Sequence, residues 1–285
     1  MNDGTMRPIG TIVTTLTVIA VMTPVLIVAP MSLTTGSTVQ FPPDGLSLKW
    51  YEAALNDPVW LDRIWVSLRV AVFVTVIAVL IGTMAAYALV RFDFPGKGLV
   101  WALVLGPLLV PLVVLGTGEF FVLATGWSLG PLHFGGGLAG TVPGLILAHT
   151  VLAFPYPTIL VATSLRSVDD NLERAAASLG AGPIHAFRLV TLPLIVPGLV
   201  GGAVFAFLAS WDEVVVASFL TNSQVSTVPV GIFAGLNQTL DPTAAAISTL
   251  LLLVGLVALV VTGMAGRKRE TSRSAEPVTA PGDRA

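Results

Sequence analysis

The chain has 285 residues, of which 54% are hydrophobic and only 11% are charged. Soluble domains are nearer a quarter charged, and the mean hydropathy of +0.88 also indicates a membrane protein. Because the sequence has no cysteine, it excludes disulfides, thiolate chemistry and cysteine metal sites. The net charge of -2 gives no reason to expect nucleic acid as a partner, and the composition favours lipid instead.

Six apolar runs are long enough to cross a bilayer as helices, which takes about 20 residues each. They cover roughly 9–31, 66–90, 99–123, 141–165, 194–220 and 244–266. The first run is too long for the apolar part of a secretory signal peptide, so we interpret it as a span. The sequence therefore predicts an all-α membrane domain over residues 1–266. Prolines inside the third and fourth runs predict kinks there: Pro107, Pro111, Pro143, Pro155 and Pro157.

Lysine and arginine, which accumulate on the cytoplasmic side of membrane proteins, are distributed unevenly between the loops. If the N-terminus is cytoplasmic, all but three of the 14 basic residues fall on inner segments, the exceptions being Lys49, Arg63 and Arg69. Both termini are therefore expected in the cytoplasm. The segment after the sixth run is charged and contains Ser and Pro, which predicts a disordered cytoplasmic tail over 267–285.

A polar segment, residues 166–193, interrupts the apolar pattern between the fourth and fifth runs. Asp170 followed by Glu173 is typical of a capping box at a helix start. Gly180 suits the left-handed position after a helix end, and Pro183 suits the first turn of a second helix. Four apolar residues of the first helix share one face: Leu172, Ala175, Ala176 and Leu179. We predict two short amphipathic helices whose apolar patch is covered either by the bundle or by a partner.

Two carboxylates occur in the fifth run, in the sequence FAFLASWDEVVVASFL. Asp212 and Glu213 are read as lying deep in an apolar helix, where each charge costs about 2.5–3.5 kcal/mol. They either hydrogen-bond to another helix, or are protonated, or form a site in the substrate pathway that attracts cations or couples gating. Trp211 beside them either offers its ring to an ammonium group or packs as an ordinary helix residue.

Other polar and small residues are weaker candidates. Glu119 lies near the outer end of the third run and either guards an entrance or faces the surface. His149 is interpreted as a hydrogen-bonded packing residue, and residues 237–238 are expected in an outer turn. Gly198 and Gly202 form a small-xxx-small face that packs helices, within this chain or against a partner.

The sequence LERAAASLGAGPIHAFRLVTLPLIVPGL resembles the signature loop of ABC-importer permeases, with its E-A-A…G…I-x-L-P pattern. Two positions depart from that pattern. Arg174 stands where the family has Glu, and Val190 replaces the usual Ile. The resemblance implies a set of ATPase-docking residues: Glu173, Arg174, Ala175, Ala176, Gly180, Ala181, Val190, Leu192 and Pro193.

The resemblance also implies an architecture and a set of partners. The fold would be the type I ABC importer permease fold, with six helices in a bacterial inner membrane. The partners would be a cytoplasmic ATPase dimer, a second homologous permease subunit, and a periplasmic or lipid-anchored solute-binding protein. ATP would be bound by the partner, and this subunit would need no cofactor or metal. The sequence SWDEVVVASFL further resembles the polyamine branch, which implies putrescine or spermidine as cargo, while metal ions and amino-acid derivatives stay open.

The absence of an ATP-binding motif agrees with this division of labour. The single Gly-Lys pair, Gly96–Lys97, has Arg91 where a phosphate-binding loop needs Gly, and Gly98 where it needs Ser or Thr. A stand-alone secondary transporter that uses Asp212 or Glu213 as a proton site is an alternative. It predicts inverted repeats, which the sequence does not display, and leaves the 166–193 segment unexplained. An intramembrane enzyme is disfavoured because no nucleophile–base pair or metal-ligand cluster stands out.

Overall fold

The computed structural model describes residues 3–129, 132–134, 136–236 and 241–274. Its helices in chain order are α1 (Asp3–Met31), α2 (Lys49–Asn56), α3 (Pro58–Arg91), α4 (Lys97–Leu109), α5 (Leu112–Ala124), α6 (Val142–Ala153), α7 (Pro155–Arg166), α8 (Asp170–Ser178), α9 (Pro183–Ala186), α10 (Leu192–Trp211), α11 (Val215–Leu220), α12 (Val228–Leu236) and α13 (Pro242–Ser274). A small antiparallel hairpin, β1 (Trp127–Leu129) and β2 (Leu132–Phe134), lies between α5 and α6 along the chain. The predicted all-α class is confirmed, with this hairpin as an addition.

The structure has four to six candidate membrane spans, against the six predicted runs. Within the described residues, four continuous helical segments are long and apolar enough to cross a bilayer: Thr11–Met31, Pro58–Arg91, Pro183–Trp211 and Pro242–Val260. Two further helix pairs qualify only when taken together, because each is bent at a short break. The total reaches 6 if each bent pair counts as one span.

The third predicted span, 99–123, is not the single kinked helix that the sequence suggested. Helix α4 ends at Leu109, Val110 is extended, and α5 leaves at an angle of 106° to α4. The break falls at Pro111 because proline lacks the backbone N–H and its ring disfavours a helical conformation in the residue before it. Pro107, in contrast, is accommodated inside α4.

The fourth and fifth predicted spans also differ from straight rods. Helices α6 and α7 meet at Phe154, immediately before Pro155, with a bend of 41°. Pro143 causes no kink, because it lies in the first turn of α6, where its missing N–H has no helical partner to lose. The fifth predicted span, 194–220, is interrupted: α10 stops at Trp211 and the separate helix α11 begins at Val215.

Glycines let α3 and α10 approach α7 closely. A Cβ atom at Gly202 would lie 2.6 Å from the Cα of Pro157, and one at Gly198 would lie 2.6 Å from the carbonyl oxygen of Leu160. On the other side, a Cβ at Gly82 would lie 3.0 Å from the Pro157 ring. The predicted small-xxx-small face therefore packs helices within this chain, as close backbone contact in a membrane requires.

The contact pattern divides the chain into two units, Met1–Asp62 with Gly231–Leu253, and Arg63–Val230 with Val254–Ala285. In the first unit, the short helix α2 carries Tyr51, whose hydroxyl lies 2.5 Å from Ser32 Oγ. The predicted disordered tail, 267–285, begins inside α13, which continues to Ser274, and 275–285 lie outside the described residues. The candidate sites belong to the second unit.

Candidate functional sites: a polar elbow and an acidic cavity

We name residues 166–193 the elbow. Its first helix, α8, is capped by Asp169, whose Oδ1 accepts the N–H of Asn171 at 2.9 Å. The predicted capping box is therefore shifted: Asp169 replaces Asp170 as the cap. Glu173 does not complete the capping box, because its carboxylate accepts hydrogen bonds from residues of other helical elements.

The bend after α8 has the predicted glycine geometry. Gly180 has a φ of 86°. Its N–H donates to Ala177 O at 3.0 Å, and the N–H of Ala181 donates to Ala176 O, also at 3.0 Å. These two bonds form a Schellman motif, which satisfies the last carbonyls of the helix and requires a left-handed residue that glycine supplies.

The second half of the elbow is continuous with the membrane helix that follows it. Pro183 occupies the first turn of α9, as predicted. The backbone then stays right-handed through a π-helical turn, Phe187–Thr191, and enters α10 without a break. The prediction of two short helices is thus wrong for the second one, which is the beginning of a single rod from Pro183 to Trp211. A movement of α9 therefore moves α10 directly.

One face of the elbow is tied to α3 by polar contacts. Arg91, at the end of α3 and only 9% exposed, forms an ion pair with Asp170 and lies 3.8 Å from Glu173. The Tyr87 hydroxyl donates to Glu173 Oε2 at 3.2 Å, and the Thr191 hydroxyl donates to Oε1 of the same carboxylate. Glu173 therefore bridges α3, α8 and the π turn that leads into α10.

Three large apolar side chains of the elbow are mostly exposed. Leu179 is 90% exposed, Ile184 73% and Leu189 72%. These side chains lie among exposed polar and charged neighbours such as Arg174 and Arg188, so this surface is not suited to lipid chains. Among the other predicted docking residues, three are exposed and the rest are half-buried. The exposed ones are Ala175, Gly180 and Pro193, and the half-buried ones are Glu173, Ala176, Ala181, Val190 and Leu192.

The acidic pair lies at a helix break, which corrects the prediction that it is deep in a continuous helix. Asp212 follows the last residue of α10, and its N–H still bonds to Leu208 O at 3.2 Å. Glu213 is buried, and its carboxylate accepts the N–H groups of Val216 at 2.8 Å and Ala217 at 2.7 Å. It thereby satisfies the otherwise unpaired amides at the start of α11, which is the reason an acidic residue is stable there.

His149, which lies in α6, packs against the break between α10 and α11. It is fully buried, its Nδ1 lies 2.9 Å from Ser210 Oγ, and its Nε2 lies 3.7 Å from Glu213 Oε2. The interpretation of His149 as a hydrogen-bonded packing residue is confirmed. Glu119, by contrast, lines a separate and mostly apolar cavity, where neither carboxyl oxygen has a hydrogen-bond partner among the described residues.

A cavity of about 480 Å³ opens beside the acidic pair, at the place where α4 and α5 separate. Asp212, Glu213 and Tyr156 bring two carboxylates and an aromatic ring to a wall whose other residues are apolar. Its lining comprises Pro107, Leu108, Val110, Leu112, Leu152, Tyr156, Ala209, Asp212, Glu213, Val214 and Val215. Trp211 is not in this wall: it is 5% exposed and stacks on Phe207 with ring centroids 5.5 Å apart.

Sequence reasoning missed several residues of these sites. Tyr156, between the two prolines of FPYP at the α6–α7 bend, was detectable as an aromatic residue at a helix break. Tyr87, Arg91 and Thr191 gave no such signal, because their roles depend on a neighbour far away in the sequence. Residues 237–238, expected in an outer turn, lie outside the described residues. Within the described part of the chain, no cluster of three or more His, Asp or Glu residues could hold a metal ion.

Comparison with known proteins identifies the family. The profile described as "Binding-protein-dependent transport system inner membrane component" matches residues 78–270. The chain is 31% identical over 235 residues to the putrescine transport system permease protein PotI of Escherichia coli (strain K12), across 79% of this chain and 80% of that protein. It is 34% identical over 235 residues to the trehalose transport system permease protein SugB of Mycobacterium tuberculosis (strain CDC 1551 / Oshkosh), across 80% of this chain and 82% of that protein.

The fold has a solved counterpart. A subunit in the crystal structure of a bacterial ABC transporter involved in the import of the acidic polysaccharide alginate superposes with a TM-score of 0.66. The superposition covers 94% of this chain and 98% of that one, at 15% identity, so it supports the fold alone. The resemblance stated from the signature loop is therefore confirmed. This chain belongs to the family of inner-membrane permease components of binding-protein-dependent transport systems, the permease subunits of ABC importers.

Proposed function

We propose that the elbow docks in a groove of a cytoplasmic ATPase subunit, and that this permease moves polyamines when two such ATPases close on ATP. The observation that carries the docking proposal is the exposure of three large apolar side chains of the elbow, Leu179, Ile184 and Leu189. Burying an apolar side chain of this size stabilises a complex by about 1.5–3 kcal/mol. Three such side chains on a segment that also carries exposed charged residues favour a protein partner.

The positive charges support a cytoplasmic position for the elbow. Arg91 and Lys97 flank the turn between α3 and α4, Arg174 and Arg188 lie in the elbow, and further basic residues follow residue 266. All of these segments fall on one side of the membrane if the chain crosses it six times, and basic residues concentrate on the cytoplasmic side. Both termini and the tail would then be cytoplasmic as well.

The division of labour between subunits follows from this arrangement. The partner ATPases would bind ATP, and this chain would carry no catalytic residue, cofactor or metal of its own. A second homologous permease would complete the pathway, and a periplasmic or lipid-anchored solute-binding protein would deliver the solute from the opposite side. The rod that runs from Pro183 to Trp211 connects the docking surface to the acidic cavity through one continuous helix, which supports a mechanical link between them.

The cavity beside Asp212 is the proposed substrate pathway. An exposed carboxylate and the Tyr156 ring face the same space, and both attract ammonium groups. Asp212 is the better contact for a cation, because the Glu213 carboxylate already accepts two backbone N–H bonds. The likeness to PotI, a putrescine permease, favours a polyamine.

A second candidate cargo is a small neutral sugar, carried by the same machine. The likeness to SugB, a trehalose permease, supports this candidate at similar identity. The lining supports it too, since a tyrosine ring in a largely apolar wall also stacks on the flat face of a sugar. Metal ions and amino-acid derivatives remain further alternatives, and a stand-alone secondary transporter is the alternative of a different class.

The test is ATP-driven uptake by the assembled importer in proteoliposomes, with labelled putrescine and labelled trehalose offered separately. Replacing Asp212 by Asn removes a charged hydrogen-bond acceptor worth about 1.5–3 kcal/mol, so we expect putrescine uptake to fall about tenfold or more. Asp93→Asn, a charge removal at a fully exposed site, is the matched control.

Each result of the uptake assay supports a different conclusion. Normal putrescine uptake by the Asp212→Asn variant would remove the proposed pathway. Trehalose uptake that is indifferent to Asp212 would establish the second cargo instead. Uptake by the permease alone, driven by an ion gradient, would replace the importer mechanism by secondary transport.

A further inference from the structure

We infer that a group of polar side chains, which we name the clamp, converts movement of the docked elbow into movement of α3 and α10 together. The clamp consists of Tyr87, Arg91, Asp170, Glu173 and Thr191. This inference rests on the proposed docking of the elbow. Glu173 is its central positioning residue, and it acts between helices of this chain rather than at the ATPase surface.

The position of Glu173 separates it from the docking surface. Its carboxylate is mostly buried and faces Tyr87, Arg91 and Thr191. Leu179 and Leu189, by contrast, are exposed on the elbow. Exposed side chains of the elbow are thus available to a partner, while the Glu173 carboxylate is bonded to α3 and to the turn before α10.

The clamp joins three helical elements through one carboxylate. Tyr87 and Arg91 belong to α3, Glu173 to α8, and Thr191 to the turn that continues as α10. The Tyr87 ring also packs edge-on against Phe187, with centroids 5.4 Å apart, so α3 holds both halves of the elbow. A force that displaces α8 therefore reaches α3 and α10 at the same time.

The guanidinium of Arg91 allows a second set of contacts within the clamp. Its guanidinium pairs with Asp170, but Nε and Nη2 are buried and form no hydrogen bond with any described residue. Unpaired buried donors are costly, which favours a rearrangement that satisfies them. The gap between Nη2 and Glu173 Oε1 is 3.8 Å, so a shift of about 1 Å brings the two within hydrogen-bonding distance. Arg91 can then hold Glu173 in place of, or together with, Asp170.

The experiment measures two quantities on the reconstituted complex: the fraction of ATPase subunit retained by the permease, and the solute transported per ATP hydrolysed. Glu173→Ala and Arg91→Met break the clamp. Asn171→Ala, which removes an exposed side chain from the same helix as Glu173, is the control. Tyr87→Phe deletes a single hydroxyl and is the mildest variant, in case the larger changes prevent folding.

We expect the clamp-breaking variants to retain the ATPase within about twofold of wild type but to lower transport per ATP by about fivefold or more, the size of a typical coupling between sites. Tyr87→Phe should change the same ratio in the same direction, while Asn171→Ala should behave as wild type. A loss of ATPase retention in Glu173→Ala would place Glu173 at the docking surface and overturn the inference. An unchanged ratio in Glu173→Ala, or in Tyr87→Phe where that variant alone folds, would also overturn it. Failure of the wild-type permease to retain an ATPase would instead refute the proposed function.

Discussion

Replacing Gly180 by alanine isolates the backbone geometry of the elbow. A Cβ atom there meets nothing within 4 Å, so the change introduces no clash. The φ of 86° is the problem, since a left-handed conformation costs an L-residue about 1–2 kcal/mol. Gly182 is a matched control two residues away: a Cβ there also meets nothing, but its φ of -68° suits alanine. Alanine at that position should be neutral or stabilise by about 0.4–1 kcal/mol.

A penalty of about 1–2 kcal/mol shifts a local equilibrium by a factor of about 5–30. Hydrogen exchange should therefore be faster by that factor at the N–H groups of residues 180 and 181, whose bonds close the bend. The affinity for the ATPase subunit, measured with the permease in lipid nanodiscs, should fall by a similar factor in Gly180→Ala only. Equal exchange rates and equal affinities in the two variants would refute the claim that the left-handed bend shapes the docking surface.

Three further variants test packing, the helix break and docking. Gly202→Val forces side-chain atoms into the backbone of Pro157, so the thermal midpoint in detergent should fall by the equivalent of about 1–3 kcal/mol or more. Gly201→Ala is the control and should leave the midpoint unchanged, because the nearest atom to a Cβ there is 3.5 Å away. Glu213→Ala leaves two buried N–H groups without an acceptor and should destabilise the fold by about 1–3 kcal/mol for each, which denaturant unfolding can measure; an unchanged midpoint would contradict the capping role. Leu179→Ala should weaken ATPase binding by at most about 1.5–3 kcal/mol while leaving the thermal midpoint unchanged, because this side chain touches little of its own chain; equal affinity would exclude Leu179 from the contact.

Local chemistry made the first part of the elbow predictable. Gly180 has the left-handed φ, and Pro183 the position in the first helical turn, that their backbone preferences favour irrespective of the surrounding fold. Hydropathy likewise located the spans, because the bilayer imposes a minimum length on any helix that crosses it. The family resemblance followed from the same segment, since its spacing is set by helix, bend and helix.

The breaks in the membrane helices were not predictable from hydropathy. The apolar run continues across Asp212 and Glu213, and only the structure shows that Glu213 ends one helix and caps the next. Several prolines suggested kinks, yet Pro111 produces a bend of 106° whereas Pro107 is accommodated within a helix. Which proline bends a helix depends on the packing around it, and the sequence does not contain that information locally.

The inward position of Glu173 was missed for a similar reason. Its partners Tyr87 and Thr191 come from α3 and from the start of α10, and a motif confined to the elbow cannot reveal them. No feature of the sequence indicated that the Arg91 side chain, which is almost fully buried, contacts the elbow. Interactions between segments distant in sequence are the part of the site that required the structure.

Photo-crosslinking from position 179 in the intact importer tests the central claim most directly. A photoreactive residue at this position, with a second at the exposed Leu46 as the control, is activated in membrane vesicles with and without ATP. The account predicts that position 179 captures the ATPase subunit, that position 46 does not, and that ATP changes the yield at 179. Capture of the solute-binding protein at position 179, or labelling of that position by a reagent confined to the periplasmic side, would contradict it.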